Sequence, residues 1–527
     1  MCISAVCSCD RTPDIKAGHL GTVGTDPGPP GPAPAETSDW AFRNITDWAG
    51  VSVPSASEQG ASFIDADRDG IDDIVLPGQG QTTIFRGRGD GSFYPFTIIE
   101  HPGILVSYPY VLDWSRDGID DLVLADESGV SLARAIGDGT YEWVGDLLRD
   151  GSLAATVVSF ADFNNDQQLD LYMGRMNVFD PDDPLFGDEA ECGAPGDVEG
   201  IINRAPAAID AVLYSNNTGW GYASGDTGLL LPLYTQAVTA ADIDMDGTMD
   251  LLVGTEGMRP DVVFRGNADG TFTDLTAISG MTLPTSAMGY EVVDIDSDGD
   301  LDIYVTDEDT DVGDKLYIQV SPGKYIAETK ERGLSITRQF TGWGIGLHDL
   351  DHDADLDLFV ANGIPLGGCP GGEQENLLFL GETGGYFERL IPPPGGGLDA
   401  VLNSRAAVFS DIDLDGDLDI LVSNVGTVPT LLRNDLPRAG SWLQILLQHP
   451  TLSPVVGASI TLSAGGITHR RAIHGTPSYG GSSTQWLHFG LGNTSTANDV
   501  TIQWPDGSTK ALGTVKTNQR ITVAYGE

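Results

Sequence analysis

Aspartates at alternate positions are the chemistry-bearing residues of this chain. The pattern Asp-x-Asp-x-Asp-Gly-x-x-Asp recurs seven times, beginning at Asp65, Asp113, Asp162, Asp242, Asp294, Asp349 and Asp411. Alternation puts three carboxylates on one side of a tight turn. A fourth, at position nine, swings in after the backbone carbonyl of position seven. Six or more hard oxygen ligands suit Ca²⁺ better than the smaller Mg²⁺, which retains its waters. Without a cation, ionised carboxylates so close together repel and shift one another's pKa values. Metal is therefore implied by electrostatics as well as by pattern.

The expected ligands, position seven acting through its carbonyl, follow loop by loop. They are Asp65, Asp67, Asp69, Ile71 and Asp73 in the first loop, and Asp113, Ser115, Asp117, Ile119 and Asp121 in the second. The third offers Asp162, Asn164, Asp166, Gln168 and Asp170, and the fourth Asp242, Asp244, Asp246, Thr248 and Asp250. The fifth has Asp294, Asp296, Asp298, Asp300 and Asp302. The sixth has Asp349, Asp351, Asp353, Asp355 and Asp357, and the last Asp411, Asp413, Asp415, Asp417 and Asp419. An EF-hand shares the opening of this pattern but needs Glu at position twelve and flanking helices. Position twelve here is Leu76, Leu124, Met173, Val253, Val305, Val360 or Val422, always apolar and inside a β-prone run. The EF-hand reading fails.

The loops differ in quality. Those at Asp65, Asp242, Asp294 and Asp411 keep every carboxylate and the glycine. Ser115 replaces a carboxylate in the second, and Asn164 and Gln167 replace a carboxylate and the glycine in the third. Ala354 stands for glycine in the sixth, where a left-handed backbone costs about 1–2 kcal/mol. These three are expected to bind more weakly, the Asp162 loop weakest.

The elements that position these loops follow from their spacing. The loops start 48, 49, 80, 52, 55 and 62 residues apart, and a unit of about 50 residues is a four-stranded propeller blade. The two long gaps are a blade plus an insertion. Apolar runs such as Leu251-Leu252-Val253 follow each loop and suit a doubly buried strand. Asp-Gly turns (Asp90-Gly91, Asp138-Gly139, Asp269-Gly270) mark later hairpins, weaker versions of which end at Tyr222, Tyr325 and Phe387. The seventh unit lacks its last strand. Phe42, Thr46 and Gly50 repeat the spacing of Phe272, Thr276 and Gly280 and of Tyr325, Thr329 and Gly333. The N-terminal segment therefore completes the last blade and closes the ring, which removes exposed sheet edges. The expected fold is all-β: a seven-bladed β-propeller over 39–437, then a small antiparallel β-sandwich over 441–527. The sandwich is read from alternating strands such as Ala458–Leu462 and Val500–Trp504, with a turn at Pro505-Asp506-Gly507.

Charge agrees with a metal role. The chain has 27 Lys+Arg against 77 Asp+Glu, net −50, and the seven loops hold 31 of those acids. Seven Ca²⁺ would bring the net charge to −36. At ten times Kd each ion adds roughly 1.4 kcal/mol, so seven add on the order of 10, comparable to the whole stability of a domain. The absence of a basic footprint argues against nucleic acid as partner. No run of about 18 apolar residues spans a membrane. Extracellular modules bind Ca²⁺ at about 10⁻⁴–10⁻³ M, which points outside the cytoplasm.

The repeats resemble FG-GAP/VCBS repeats, the calcium-bearing blades of integrin-α-type propellers. The tail resembles the ASPIC/UnbV domain through Gly457-Ala458-Ser459-Ile460, Tyr479, His488–Gly492 and Trp504–Gly507. The combination is similar to the cartilage acidic protein family and covers roughly residues 39–527. That resemblance implies a secreted or surface protein, with many bacterial relatives and no established reaction.

Other features leave alternatives open. Cys2, Cys7 and Cys9 precede a Gly/Pro-rich linker, so residues 1–38 read either as a lipidated leader, with Val6–Cys9 as a degraded lipobox, or as an irregular tail. Cys192 and Cys369 fall in insertions 175–210 and 362–374, on the face opposite the loops, and are either bonded or free. That decorated face is where a partner is expected, the alternative being solvated acidic loops. His469, His474 and His488 lack a zinc-type spacing and read as packing residues. No hydrolase elbow, zincin motif or phosphate loop is present. The reading is a monomeric, calcium-binding, non-enzymatic extracellular, periplasmic or cell-surface protein that binds a protein or glycan. The alternative is a carbohydrate-active enzyme, such as a polysaccharide lyase, working in the propeller funnel.

Overall fold

The computed structural model describes residues 22–31, 33–34, 41–52, 60–126, 129–148, 154–176, 211–216, 219–222, 227–229, 235–255, 259–364, 372–437, 440–476 and 478–526. All five cysteines and most of both insertions lie outside these residues.

Each Asp loop joins the first and second strands of a sheet, as its flanking apolar runs require. The second strands Asp250–Thr255, Asp302–Asp307, Asp357–Asn362 and Asp419–Asn424 are buried along their whole length. That explains why they read as continuous apolar runs and not as alternation. Among the described residues, Ala154–Ala161, Thr235–Ala241, Ala287–Val293, Gly342–His348 and Ser404–Ser410 each start a separate four-stranded antiparallel sheet. The first two units share a sheet, because Phe93–Leu112 is at once the outer strand of one and the inner strand of the next. In the first unit, Asp73–Gly87 folds back on itself: the Gly87 N–H donates to the Asp73 carboxylate at 2.8 Å. Fifteen extended residues would otherwise separate those groups by about 45 Å.

Neighbouring sheets touch through their inner strands in a closed circuit that returns from Ser404–Ser410 to Ser62–Ile64. Apolar clusters fill the gaps between sheets, for example Leu252, Val263, Ile303 and Tyr317 between the fourth and fifth units. The ring is closed as the sequence requires. Phe42–Asn44 pairs antiparallel with Thr430–Asn434, Phe42 opposite Asn434. The Thr46 hydroxyl accepts the Leu431 N–H at 2.8 Å, just as Thr276 and Thr329 accept Val263 and Leu316 in their own blades. Gly50, Gly280 and Gly333 all have φ between 83° and 93°. A Cβ on each would run into the carbonyl of the next blade's aromatic: Phe93, Tyr325 and Phe387 respectively.

Part of the N-terminal segment is extended and held against the ring. Thr22–Val23 adds a strand beside Thr97 and Ile98, Asp26 pairs with Arg88, and the Pro34 carbonyl accepts from Arg433 at 2.9 Å. Arg88 and Arg433 supply fixed donors for an otherwise loose chain.

The C-terminal strands form a three-stranded sheet and a four-stranded sheet over a shared core of Ile445, Ile460, Ile502 and Trp504. One pair corrects the all-antiparallel expectation: Trp442–Gln448 runs parallel to Gln519–Ala524. These are the first and last strands of the piece, joined by the whole intervening chain, so no hairpin constrains their direction.

Residues 475–476 and 478–484 enter the centre of the ring. The Gly475 and Ser478 N–H groups donate to the Ala240 and Tyr290 carbonyls at 2.7 and 2.9 Å. The Thr476 hydroxyl donates to the Val158 carbonyl, and Ile345 N–H donates to the Ser478 hydroxyl. Phe63 N–H donates to the Ser482 carbonyl, and Thr484 N–H to Phe409. Tyr479 packs edge-on against Trp343 and Tyr108. The inner strand of every unit is thus bonded or packed to one plug.

Candidate metal centres

The Asp loops are built from backbone hydrogen bonds to their own carboxylates. At position one, Asp65 accepts the Asp69 and Gly70 N–H groups, both at 3.0 Å. Asp113, Asp162, Asp294, Asp349 and Asp411 accept the same pair. Asp242 accepts Gly247. Positions four and six are left-handed in every loop: Arg68 at φ 63° and Gly70 at 86°, through to Leu414 at 61° and Gly416 at 103°. Gln167 and Ala354 adopt the same conformation without being glycine, at 63° and 85°.

The residue at position nine latches the loop to the sheet. Asp250 accepts the Ile243 N–H on one oxygen and the Gly266 N–H of the third strand on the other. Asp73, Asp121, Asp170, Asp302, Asp357 and Asp419 likewise each accept two backbone N–H groups, one from the loop and one from the third strand. The side chain expected as fourth ligand is therefore also the hinge pin of the turn.

Three-carboxylate clusters with oxygens within 4.8 Å of one another form in five loops. They are Asp65/Asp67/Asp69, Asp242/Asp244/Asp246, Asp349/Asp351/Asp353, Asp411/Asp413/Asp415 and Asp294/Asp296/Asp302. The last uses position nine in place of Asp298. The Asp113 and Asp162 loops bring together fewer carboxylates, since Ser115 and Asn164 occupy position three. Among the described residues no histidine joins such a cluster. His474 faces Glu291 at 3.6 Å, and His488 stacks on His352.

Electrostatics without an ion are unfavourable. Burial, reinforced by neighbouring carboxylates, pushes Asp65 and Asp294 up to about 7 and Asp242 and Asp351 to about 6. Burial and the Asp357 charge raise Asp349 well above the usual carboxylate range. Hard oxygens, close spacing and frustrated ionisation together fit a divalent cation.

Several contacts at these loops lay beyond local sequence reasoning. Arg86 pairs with Asp67 and Asp69, and Arg332 reaches Asp296 at 3.2 Å. The C-terminal piece rests on the same face. Arg520 and Gln444 both bind Asp411 at 3.1 Å, and Trp442 covers Gly416, where a Cβ would collide with the indole. Asp120, at position eight, accepts the Ser453 hydroxyl at 2.6 Å and the Gln485 amide at 2.8 Å. Only its doubled acid, Asp120-Asp121, set it apart in the sequence.

Comparison with known proteins agrees with this architecture. Residues 65–123, 113–173, 242–305 and 294–360 match the FG-GAP-like repeat, and residues 450–527 match ASPIC and UnbV. Cartilage acidic protein 1 of Homo sapiens is 28% identical over 260 residues, 47% of this chain and 37% of that protein. The chain thus matches little more than a third of that relative's length. Similar solved structures include an Agrocybe aegerita lectin that recognises non-reducing terminal N-acetylglucosamine, at 16% identity and TM-score 0.43, covering 70% of this chain and 87% of that one. Another is the exotype rhamnogalacturonan lyase YesX, at 12% identity and TM-score 0.40, covering 76% of each chain. The chain is built of FG-GAP-like repeats followed by a C-terminal ASPIC/UnbV domain.

Proposed function

We propose that this is a calcium-stabilised, non-enzymatic extracellular or cell-surface protein that binds a protein or glycan ligand. The observation that carries the metal half is the five carboxylate triads, each closed within 4.8 Å at a backbone-organised turn. Ca²⁺ held by positions one, three, five and nine, with the carbonyl of position seven, neutralises charge that burial otherwise penalises. Up to seven ions fit a seven-bladed ring spanning 39–437, with 441–527 as the docked second domain. Likeness to cartilage acidic protein 1 supports an extracytoplasmic home. A monomer, reached by export or lipid anchoring from a bacterial cell, belongs to the same reading.

The funnel-enzyme alternative loses support because residues 475–476 and 478–484 occupy the ring centre. The first test is thermal melting with 2 mM-scale Ca²⁺ against chelator. Ten times Kd at each site predicts roughly 10 kcal/mol across the molecule, so chelation is expected to lower the midpoint by many degrees. Superimposable curves would remove calcium from the account. Glycan-array and pull-down binding, set against turnover on a polysaccharide panel, test the ligand half. Turnover without binding partners would favour the enzyme.

A further inference from the structure

A cavity of about 140 Å³ remains where the C-terminal sheets meet the ring. Its apolar walls include Phe160, Val292, Leu447 and Ile473. Glu291, Arg471, His474 and His488 also line it. Arg471 is the anomaly. Its guanidinium donates to the Leu347 carbonyl at 2.8 Å, and no ion pair is formed with it among the described residues. Glu291 is engaged with His474 at 3.6 Å instead. Arg471 is partly buried, and a cation held partly away from bulk water without an anionic partner carries a share of the desolvation penalty that an anion would offset. Burial lowers its pKa, and Glu291, Asp349 and Asp294 counter this only from beyond ion-pair distance. Calcium in the Asp294 and Asp349 loops would cancel two of those three charges. That last step rests on the calcium reading, whereas the cavity and the unpaired guanidinium do not.

A second group points the same way. His488 is 3% exposed and lines the cavity; its Nε2 lies near the Asp349 backbone but completes no hydrogen bond of ordinary geometry. We propose that this cavity is a binding site for a small aliphatic monocarboxylate. The carboxylate takes two hydrogen bonds from the Arg471 fork, whose geometry matches it, and a third from His488 Nε2–H. The hydrocarbon part lies against Val292, Phe160 and Ile473. A cavity of about 150 Å³ accepts a ligand the size of benzene, so an acid of about six non-hydrogen atoms fits. A bare inorganic anion would match the charge and leave the apolar walls uncovered.

Isobutyrate is the probe, added to the full chain at fixed ionic strength and fixed free Ca²⁺. It is compared with isobutyramide, which has the same shape without the charge, and with chloride and nitrate. At tenfold over Kd the midpoint is expected to rise by about 1 °C, with the amide and inorganic anions inert. Arg471→Met, an apolar replacement of similar volume, is expected to abolish the response while leaving the calcium response intact. Ile473→Phe fills the cavity with a larger apolar side chain and should abolish it too, which keeps the test decisive if Arg471→Met fails to fold. No shift with isobutyrate, equal shifts with the amide or chloride, or a response that survives either substitution overturns the proposal. A carboxylate response persisting where chelator has no effect would sink the calcium reading and leave this one standing.

Discussion

Ala354 shows how far local chemistry fixes these turns. Position six is left-handed in all seven loops, and five of them use glycine there. Ala354 holds φ 85° because its N–H must donate to Asp349 at 2.8 Å, and an L-residue with a Cβ pays for that geometry. Ala354→Gly is expected to stabilise the protein by about 1 kcal/mol, read as a higher denaturation midpoint in Ca²⁺. An unchanged or lower midpoint would mean that neighbours already relieve the strain. At this scale the aspartates were legible, because ligand spacing is a property of consecutive residues. The arginines were not: Arg86, Arg332 and Arg520 reach their carboxylates from 17, 36 and 109 residues away. Left-handed position four was equally hidden, since Arg68, Met245, His352 and Leu414 share no side-chain chemistry.

Single strands carry the evidence for closure of the ring. Phe42–Asn44 is legible in sequence only as a missing complement, a strand that one unit lacks and the N-terminus supplies. The structure reproduces the detail as well, down to a threonine hydroxyl accepting an N–H and a glycine pressed on the next blade. If the N-terminal strand is energetically a blade strand, Gly50→Ala and Gly280→Ala should cost alike. Both force a Cβ toward a carbonyl at positive φ, so each is expected to destabilise by about 1–3 kcal/mol. Equilibrium denaturation of the two variants checks this. A Gly50→Ala effect near zero beside a full Gly280→Ala effect would mean that the closing strand detaches easily. Residues 475–484 were illegible for the opposite reason. Their Gly, Ser and Thr content reads as a surface loop, yet small hydroxyl side chains are what can satisfy the bare backbone of several converging strands at once.

Across the whole molecule, protons and calcium compete for the same oxygens. In the calcium-free protein, burial raises Asp65, Asp121 and Asp294 to about 7, and Asp170 and Asp302 to about 8, against an ordinary 3.8. The folded state therefore binds more protons than the unfolded chain between about pH 4 and 8, and stability falls as pH rises through that window. Calcium reverses the sign, since it binds the ionised carboxylates and gains affinity as they deprotonate. In chelator the melting temperature is expected to drop steadily from pH 5 to pH 8, while in saturating Ca²⁺ it stays level or rises. The gap between the two curves should be small at pH 5 and widest at pH 8. Because Asp411 is gripped by Arg520 and Gln444, and Asp120 by Ser453 and Gln485, the C-terminal domain should loosen along with the ring. One cooperative transition is then expected in chelator at pH 8, followed by tryptophan fluorescence, with Trp442 and Trp486 on one side of the interface and Trp343 on the other. Parallel curves across the pH range, or a C-terminal transition that ignores calcium, would show that the aspartate turns are held by hydrogen bonds alone.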